Sequence, residues 1–422
     1  SRQTGNQFQS FGFTPSVLME MVAAERAKLR REMLWEIIYE ILSRTSLEVV
    51  YKCRVVCREW NMMIRDPYFI HLHSRRTPTL SGVFVQFIGW ETERRFISPT
   101  PSRSNEVLSL KFAPDSRDIR VLASSHLGLL YYSVVNLSSV YALGICKPTT
   151  KQWRSIPLPS FDMLKYADFA ALLITDTSPL RYKIIHAVPS DVRPHKGKDV
   201  WSFHVFDSNK WEWRHAGDIS HTHINLVAEQ PMVLIRGTAH WISNGFRILT
   251  FDGYSESSQM RDLPWAMHPN PYSESHRGIV EYQGMLGFVG ISRTGPIDEE
   301  EDNVVELGKF LIELWVLENY GHHDGWGVWK KRHALVVNFS LHDLYEPPVT
   351  LHGNTLAVLY QGFFRSLLCI DFTTGHTISW VHGGPNRFPT AVMSFRSDWE
   401  PCHLAMQTHP CGNNIENLKE DG

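Results

Sequence analysis

Three groups of residues combine types and spacing that could do chemistry. His322-His323-Asp324, between Gly321 and Gly325, brings two imidazoles and a carboxylate together. These are the donors of a metal site and the proton carriers of general acid–base catalysis. Cys402-His403 with His409 and Cys411 offers two thiols and two imidazoles, the ligand types of tetrahedral zinc. Cys53 and Cys57 stand four apart. Each group also has a plainer reading, and the plainer one is stronger. A polar triplet between glycines is a solvated hairpin tip. A zinc site shows paired ligands on both sides of a longer spacer, which the C-terminal set lacks. Cys53 and Cys57 have apolar neighbours in a helical stretch and fit small buried hydrophobes better than ligands. The acidic run from Asp298 to Asp302 fits a solvated loop between strands. No Gly-rich phosphate loop, nucleophile elbow or His-Glu-x-x-His occurs. The chain therefore reads as a binding protein rather than an enzyme, with no catalytic residue, cofactor or metal expected.

The elements that would position such groups come in two regimes. Up to about Ser74 the apolar spacing is helical; after Ser81 it becomes short apolar or aromatic runs broken by Gly, Pro, Asn and Asp, the pattern of β-meanders. Residues 1–30 read as a disordered or partly helical leader, 31–75 as a helical module, 81–396 as a β domain and 397–422 as a flexible tail. At 422 residues the chain exceeds what one core usually organises. Lysine plus arginine (42) nearly balances aspartate plus glutamate (44), so no global field argues for nucleic acid or an anionic membrane as partner. No apolar run has bilayer-spanning length, and no basic-then-apolar leader is visible. Six scattered cysteines without framework spacing fit a reducing compartment, cytoplasmic and/or nuclear.

Within the first regime Leu34, Ile37, Ile38, Ile41 and Leu42 fall at i, i+3, i+4, i+7 and i+8, one face of an amphipathic helix. Thr45-Ser46-Leu47-Glu48 reads as a capping box that starts a second helix at Ser46 or Leu47. Val55, Val56, Trp60, Met63 and Ile64 mark a third, stopped at Asp66-Pro67 because the residue before proline disfavours helical dihedrals. Three helices this short cannot bury all their apolar faces among themselves, so a docking surface is expected.

These residues carry a family resemblance. Glu36-Ile37-Ile38-Tyr39-Glu40-Ile41-Leu42-Ser43-Arg44, then Arg54-Val55-Val56-Cys57-Arg58-Glu59-Trp60, then Ile64-Arg65-Asp66-Pro67-Tyr68-Phe69 resembles an F-box in order and spacing. The resemblance implies that the module binds the Skp-type adaptor of a cullin-RING ubiquitin ligase. It places Ile37, Ile38, Ile41, Leu42, Val50, Val56 and Trp60 at the family's apolar positions, some inside the F-box and others facing the adaptor. Both signature Leu-Pro pairs are replaced, by Met33-Leu34 and by Thr45-Ser46.

The second regime repeats loosely. An apolar strand, often entered through a Gly-containing hairpin, is followed by a strand ending in Asp or a related turn former, then often an aromatic. The clearest phrases are Tyr182 to Trp213, Gly237 to Asp252, Tyr282 to Trp329 and His352 to Gly375. Another, from Leu127 to Pro157, turns at Lys147-Pro148-Thr149-Thr150. Starts about 45 to 70 residues apart fit propeller blades with insertions. Five units are clear, and a strand near Gly82 to Phe87 could begin or close another. The pattern resembles the F-box-associated, Kelch-like domains of the large plant F-box family. The expected fold is thus mainly β with an N-terminal α module, a short three-helix F-box followed by a β-propeller-like domain of about six blades. Trp153, Trp211, Trp241 and Trp329 are expected as blade-core anchors, and Trp213, Trp326 and Trp380 as candidates for a binding face.

As the resemblance implies, the function would be target recognition within a Skp-cullin-F-box ligase. The module would hold the adaptor, and through it cullin and RING subunits, while the propeller holds a target protein, whose basic degron could meet the acidic run. The alternative is an F-box-like scaffold that binds a partner without recruiting a ligase.

Overall fold

The computed structural model describes residues 33–398 apart from 46, 78, 89–92, 98–109, 111, 114–118, 136–139, 161–168, 178, 191–197, 223, 225, 228–229, 244–245, 265–266, 268–274, 295–307, 321–325, 340–348, 361–364 and 383–387, together with Met19, Cys402 and Leu404. Helix α1 covers 33–42, followed by α2 (Leu47–Cys53), α3 (Arg58–Arg65) and α4 (Pro67–Arg76). Where three helices are expected, the described residues therefore carry four helical segments. Asp66 explains the fourth: it ends α3 in extended backbone, and its carboxylate accepts from the amides of Tyr68 (2.8 Å) and Phe69 (3.3 Å) to cap a new helix with Pro67 in the first turn. The proline breaks one helix and opens the next. The capping box expected at Thr45 falls partly outside the described residues. The Thr45 hydroxyl donates to the Leu42 carbonyl (3.0 Å), and the Glu48 side chain lies outside the described residues.

Six sheets follow. β1 (Thr79–Ile88) and β2 (Glu93–Ile97) join the distant β23 (Phe388–Asp398) in the order β2-β1-β23. The rest are four-stranded meanders. The first comprises β3 (Ile119–Ser124), β4 (Leu130–Val135), β5 (Val140–Lys147) and β6 (Gln152–Ile156). The second comprises β7 (Ala170–Thr177), β8 (Leu180–Pro189), β9 (Asp199–Asp207) and β10 (Glu212–His221). The third is β11 (Val233–Ile235), β12 (Thr238–Ser243), β13 (Arg247–Asp252) and β14 (Ser257–Asp262). The fourth is β15 (Ser275–Tyr282), β16 (Met285–Arg293), β17 (Gly308–Glu318) and β18 (Val328–Phe339). The last is β19 (Val349–His352), β20 (Thr355–Tyr360), β21 (Arg365–Asp371) and β22 (Thr377–His382). The inner strands touch in the cyclic order β23, β3, β7, β11, β15, β19. The domain is a six-bladed β-propeller, and the strand noticed near Gly82 does close the ring.

The core is distributed rather than central. Each of six apolar clusters lies between two neighbouring blades. Phe203 stacks on Phe251 across one interface (4.5 Å between ring centres), and Tyr131 reaches His186 across another. The second strand β12 is buried throughout, whereas outer β14 is exposed at every second residue and both end residues. Blades need this because a sheet buried on both faces reads as a continuous apolar run and a half-solvated one alternates.

The recurring Asp has a physical role. Asp207, Asp252 and Asp371 each end a third strand, and each carboxylate accepts from amides two or three residues on, at 2.7–2.8 Å. The fifth residue of each turn, Trp211, Glu256 or Gly375, is left-handed and donates its amide back to the Asp carbonyl. Lys147 stands at the same position in the first full blade, and Lys151, four residues on, is again left-handed (φ 57°).

Candidate functional site

Antiparallel meanders put alternate connections on opposite faces of the ring. One face carries the tight inner turns Arg236-Gly237, Gln283-Gly284 and Gly353-Asn354. The strand ends on the other side are joined through 157–169, 190–198, 222–232, 263–274, 294–307 and 340–348, most of which lie outside the described residues. The helical module sits on the tight-turn face. Arg65 of α3 lies against Gly284, whose φ of 73° suits glycine and where a Cβ would collide with the guanidinium. Its Nη1 pairs with Glu281 at 3.3 Å. Arg396 of β23 donates to His73 of α4 at 2.5 Å.

The module has a small core of its own. Leu42, Val50, Ile64 and Phe69 are buried, with Ile38, Tyr39, Cys53, Trp60 and Met63 packed on them. Cys57 caps α3, its sulfur accepting from the Trp60 amide (3.4 Å). Glu40 ties α1 to α4: its carboxylate accepts from Arg44 and Arg76, both at 2.6 Å, and these bonds hold it below the usual carboxylate range. His73 is buried, its Nε2 donating to the Thr45 carbonyl (2.9 Å) and its Nδ1 accepting from Arg396. Burial, then the Arg396 charge, lowers it to about 4, so it is neutral.

Against that core, α1 is apolar on a second side. Met33, Ile37 and Ile41 repeat one turn apart with Leu34 beside them, and all are more than half exposed, Ile37 at 55% and Ile41 at 56%. Val55, Val56, Met62 and, less fully, Val49 add further exposed apolar side chains from α2, α3 and the turn between them. The seven residues singled out from sequence therefore separate. Leu42 and Val50 are core, at 4% and 2%; Ile38 and Trp60 pack partly against it; Ile37, Ile41 and Val56 face outward. Periodicity alone placed Ile37, Ile38, Ile41 and Leu42 on one stripe; the fold of α1 over α4 splits it. Sequence reasoning passed over Met33, Val49 and Met62, although the first falls on the same helical repeat as Ile37 and Ile41.

Other groups singled out from sequence are placed as follows. His322, His323 and Asp324 fall in the β17–β18 connection, and they lie outside the described residues, as do the acidic run, His403, His409 and Cys411. Cys402 is described: its amide donates to Gln152 Oε1 (3.0 Å), and it packs on the cluster between the first two four-stranded blades. Cys53, half-buried, is pushed up by burial. Among the described residues no three His, Cys, Asp or Glu side chains gather as a metal would require, and no described helix is long and apolar enough to cross a membrane. Trp241 is a buried anchor as expected, but Trp153 is 43% exposed. Its strand, β6, is the outer edge of its blade and alternates in burial. Trp213 and Trp326, expected on a binding face, are instead partly buried against blade clusters, and the Trp213 indole donates to the Pro157 carbonyl (2.6 Å). The Trp380 side chain lies outside the described residues.

A closed ring that carries, over its tight inner turns, a helical module with an uncovered apolar side has the build of a binding scaffold. No family model matches the chain. It is similar to an F-box protein of Arabidopsis thaliana, 24% identical over 295 residues that cover 68% of this chain and 75% of that one. It is similar also to an F-box/kelch-repeat protein of that plant, 23% identical over 304 residues covering 66% and 76%. A further F-box protein of the same plant is 27% identical over 172 residues, covering 39% of this chain and 90% of that one.

Proposed function

We propose that this chain is the target-recognition subunit of a Skp-cullin-F-box ubiquitin ligase, in which residues 31–75 form the F-box and bind the adaptor while the propeller binds the target. The observation that carries the reading is the exposed apolar row Met33, Leu34, Ile37 and Ile41, with Val56 also exposed, on a module whose own core is already filled. These side chains are already partly covered, Ile37 at 55% and Ile41 at 56% exposure, so covering the rest contributes roughly 1–2 kcal/mol each before the costs of association. An adaptor helix or groove would bury that row, and Leu42, Val50, Ile38 and Trp60 would hold it in place from behind. A target held at the end of the ring opposite the module would not compete with the adaptor for surface. The role is one of proximity and orientation, with the bond-forming chemistry done by other subunits.

The test is binding of a purified Skp-type adaptor to the intact chain and to Ile37→Asp with Ile41→Asp. Both positions are exposed, so the variant should keep its melting temperature and lose binding by roughly 100-fold or more. An intact chain that binds no Skp-type adaptor would refute the reading. It would point to a scaffold that holds a partner without recruiting a ligase, for which the replaced Leu-Pro pairs at Met33-Leu34 and Thr45-Ser46 are the sequence evidence.

A further inference from the structure

Between the helical module and the mouth of the ring lies a cavity of about 240 Å³. Its walls come from both parts of the chain, Arg54 and Arg65 from the module and His126, Glu281, His352 and Arg396 from the propeller, with Ser124, Ser125, Thr350 and Ser394 between them. Three guanidiniums thus face one carboxylate. The nearby Asp398 also acts on Arg396, but it is shared with Lys147, so counting both leaves the cations in excess. Two of the three cations are held side by side: Arg54 Nε (3.3 Å) and Arg65 Nε (2.9 Å) donate to the same oxygen of Asn61. The third, Arg396, has a buried Nε with no hydrogen-bond partner among the described residues. The histidines do not add charge. His352 is bonded through both nitrogens, to Ser394 Oγ (2.7 Å) and Ser81 Oγ (2.9 Å), and burial keeps His126 and His352 below the usual imidazole range.

Like charges gathered in a partly enclosed space are unfavourable unless an anion joins them, and guanidiniums bind phosphate oxygens in paired hydrogen bonds. We propose that this cavity is an anion site for a phosphate group, free or as a small phosphate monoester, bound between Arg54 and Arg65 of the module and Arg396 of the propeller. The hydroxyls of Ser125 and Thr350, which accept from backbone amides, would supply further donors. Because its ligands come from both parts, occupancy would fasten the helical module to the ring. This site is independent of what the outward face of the module binds.

The experiment is titration of the full chain with inorganic phosphate and, separately, glycerol phosphate, followed by melting temperature and by calorimetry at constant ionic strength against chloride. A saturable rise in melting temperature is expected for at least one of them, and the tighter of the two identifies free ion or monoester. Arg54→Gln should weaken binding at least ~10-fold, whereas Arg181→Gln, an exposed arginine outside the cavity, should leave it unchanged. Arg396→Gln should do the same as Arg54→Gln if it folds; Arg54→Gln decides if it does not. No saturable effect of either anion, or an equal effect in the intact chain and in Arg54→Gln, would overturn the proposal.

Discussion

Asp398 offers the sharpest test of how the ring is closed. The first and last strands are joined by side-by-side pairing of β1 with β23, and the end of β23 is fastened to the neighbouring blade. Lys147 and Asp398 form an ion pair with side chains 5% and 7% exposed. Beside it Thr149 Oγ1 donates to the Asp398 carbonyl (2.6 Å) and meets Ser397 Oγ at 2.8 Å. Gly128, left-handed at φ 75°, has no room for a Cβ because Ser397 fills that space. Removing one partner leaves a buried charge uncompensated, which costs about 3–5 kcal/mol, whereas replacing both by apolar residues of similar volume is near neutral. For a ring of roughly 320 residues, 1 kcal/mol corresponds to about 1.5 °C in melting temperature. Asp398→Leu should therefore lower it by about 5–8 °C. Lys147→Met should cost a similar amount, and the double variant should recover most of the loss. Urea unfolding of the four proteins gives the coupling energy, and hydrogen exchange should show β23 and β1 opening first in the single variants. A double variant whose cost equals the sum of the singles would refute the latch.

Further outcomes follow from the same structure. Leu42→Ala should destabilise the helical module by about 2–4 kcal/mol, since the side chain is 4% exposed; Ile41→Ala should cost under about 0.5 kcal/mol, and chemical unfolding read from the module's own exchange distinguishes them. His73, His240 and His276 are each lowered to about 4, chiefly by burial. The unfolded chain, titrating near 6.5, binds more protons below that pH, so stability is full above 6.5 and falls as pH drops towards 4. The slope is up to about 1.4 kcal/mol per pH unit for each histidine, and a urea midpoint unchanged between pH 7.5 and 5.5 would contradict it. Asp371→Ala removes the acceptor for the Thr373 and Thr374 amides. It should cost about 1 kcal/mol and speed exchange in the β21–β22 turn, with Asp371→Asn losing less.

The divide between sequence and tertiary structure can be drawn through particular residues. Local chemistry was legible: Asp66-Pro67 as a break, the Gly-bearing hairpins at Gly237, Gly284 and Gly353, and the repeated strand ending in Asp each depend on dihedral preference or on hydrogen bonds within a few residues. These are properties that a short stretch of chain carries with it. From them came the mainly β class and the recognition of blade-like repeats. What could not be read was anything set by contacts distant in sequence. Thr79 meets Asp398 across the whole propeller, and the partner of Lys147 lies 251 residues away. The separation of Ile37 and Ile41 from Ile38 and Leu42 follows from where α4 packs. Whether a tryptophan anchors a blade or reaches solvent is likewise fixed by the position of its strand within the sheet, as Trp153 on outer β6 shows. The cavity is the extreme case: Arg54 and Arg65 stand in the sequence only as motif positions and Arg396 not at all, and the three come together only because the module sits over the ring. Periodicity reports that a side chain has an apolar neighbour to find; only the closed fold decides which neighbour it is.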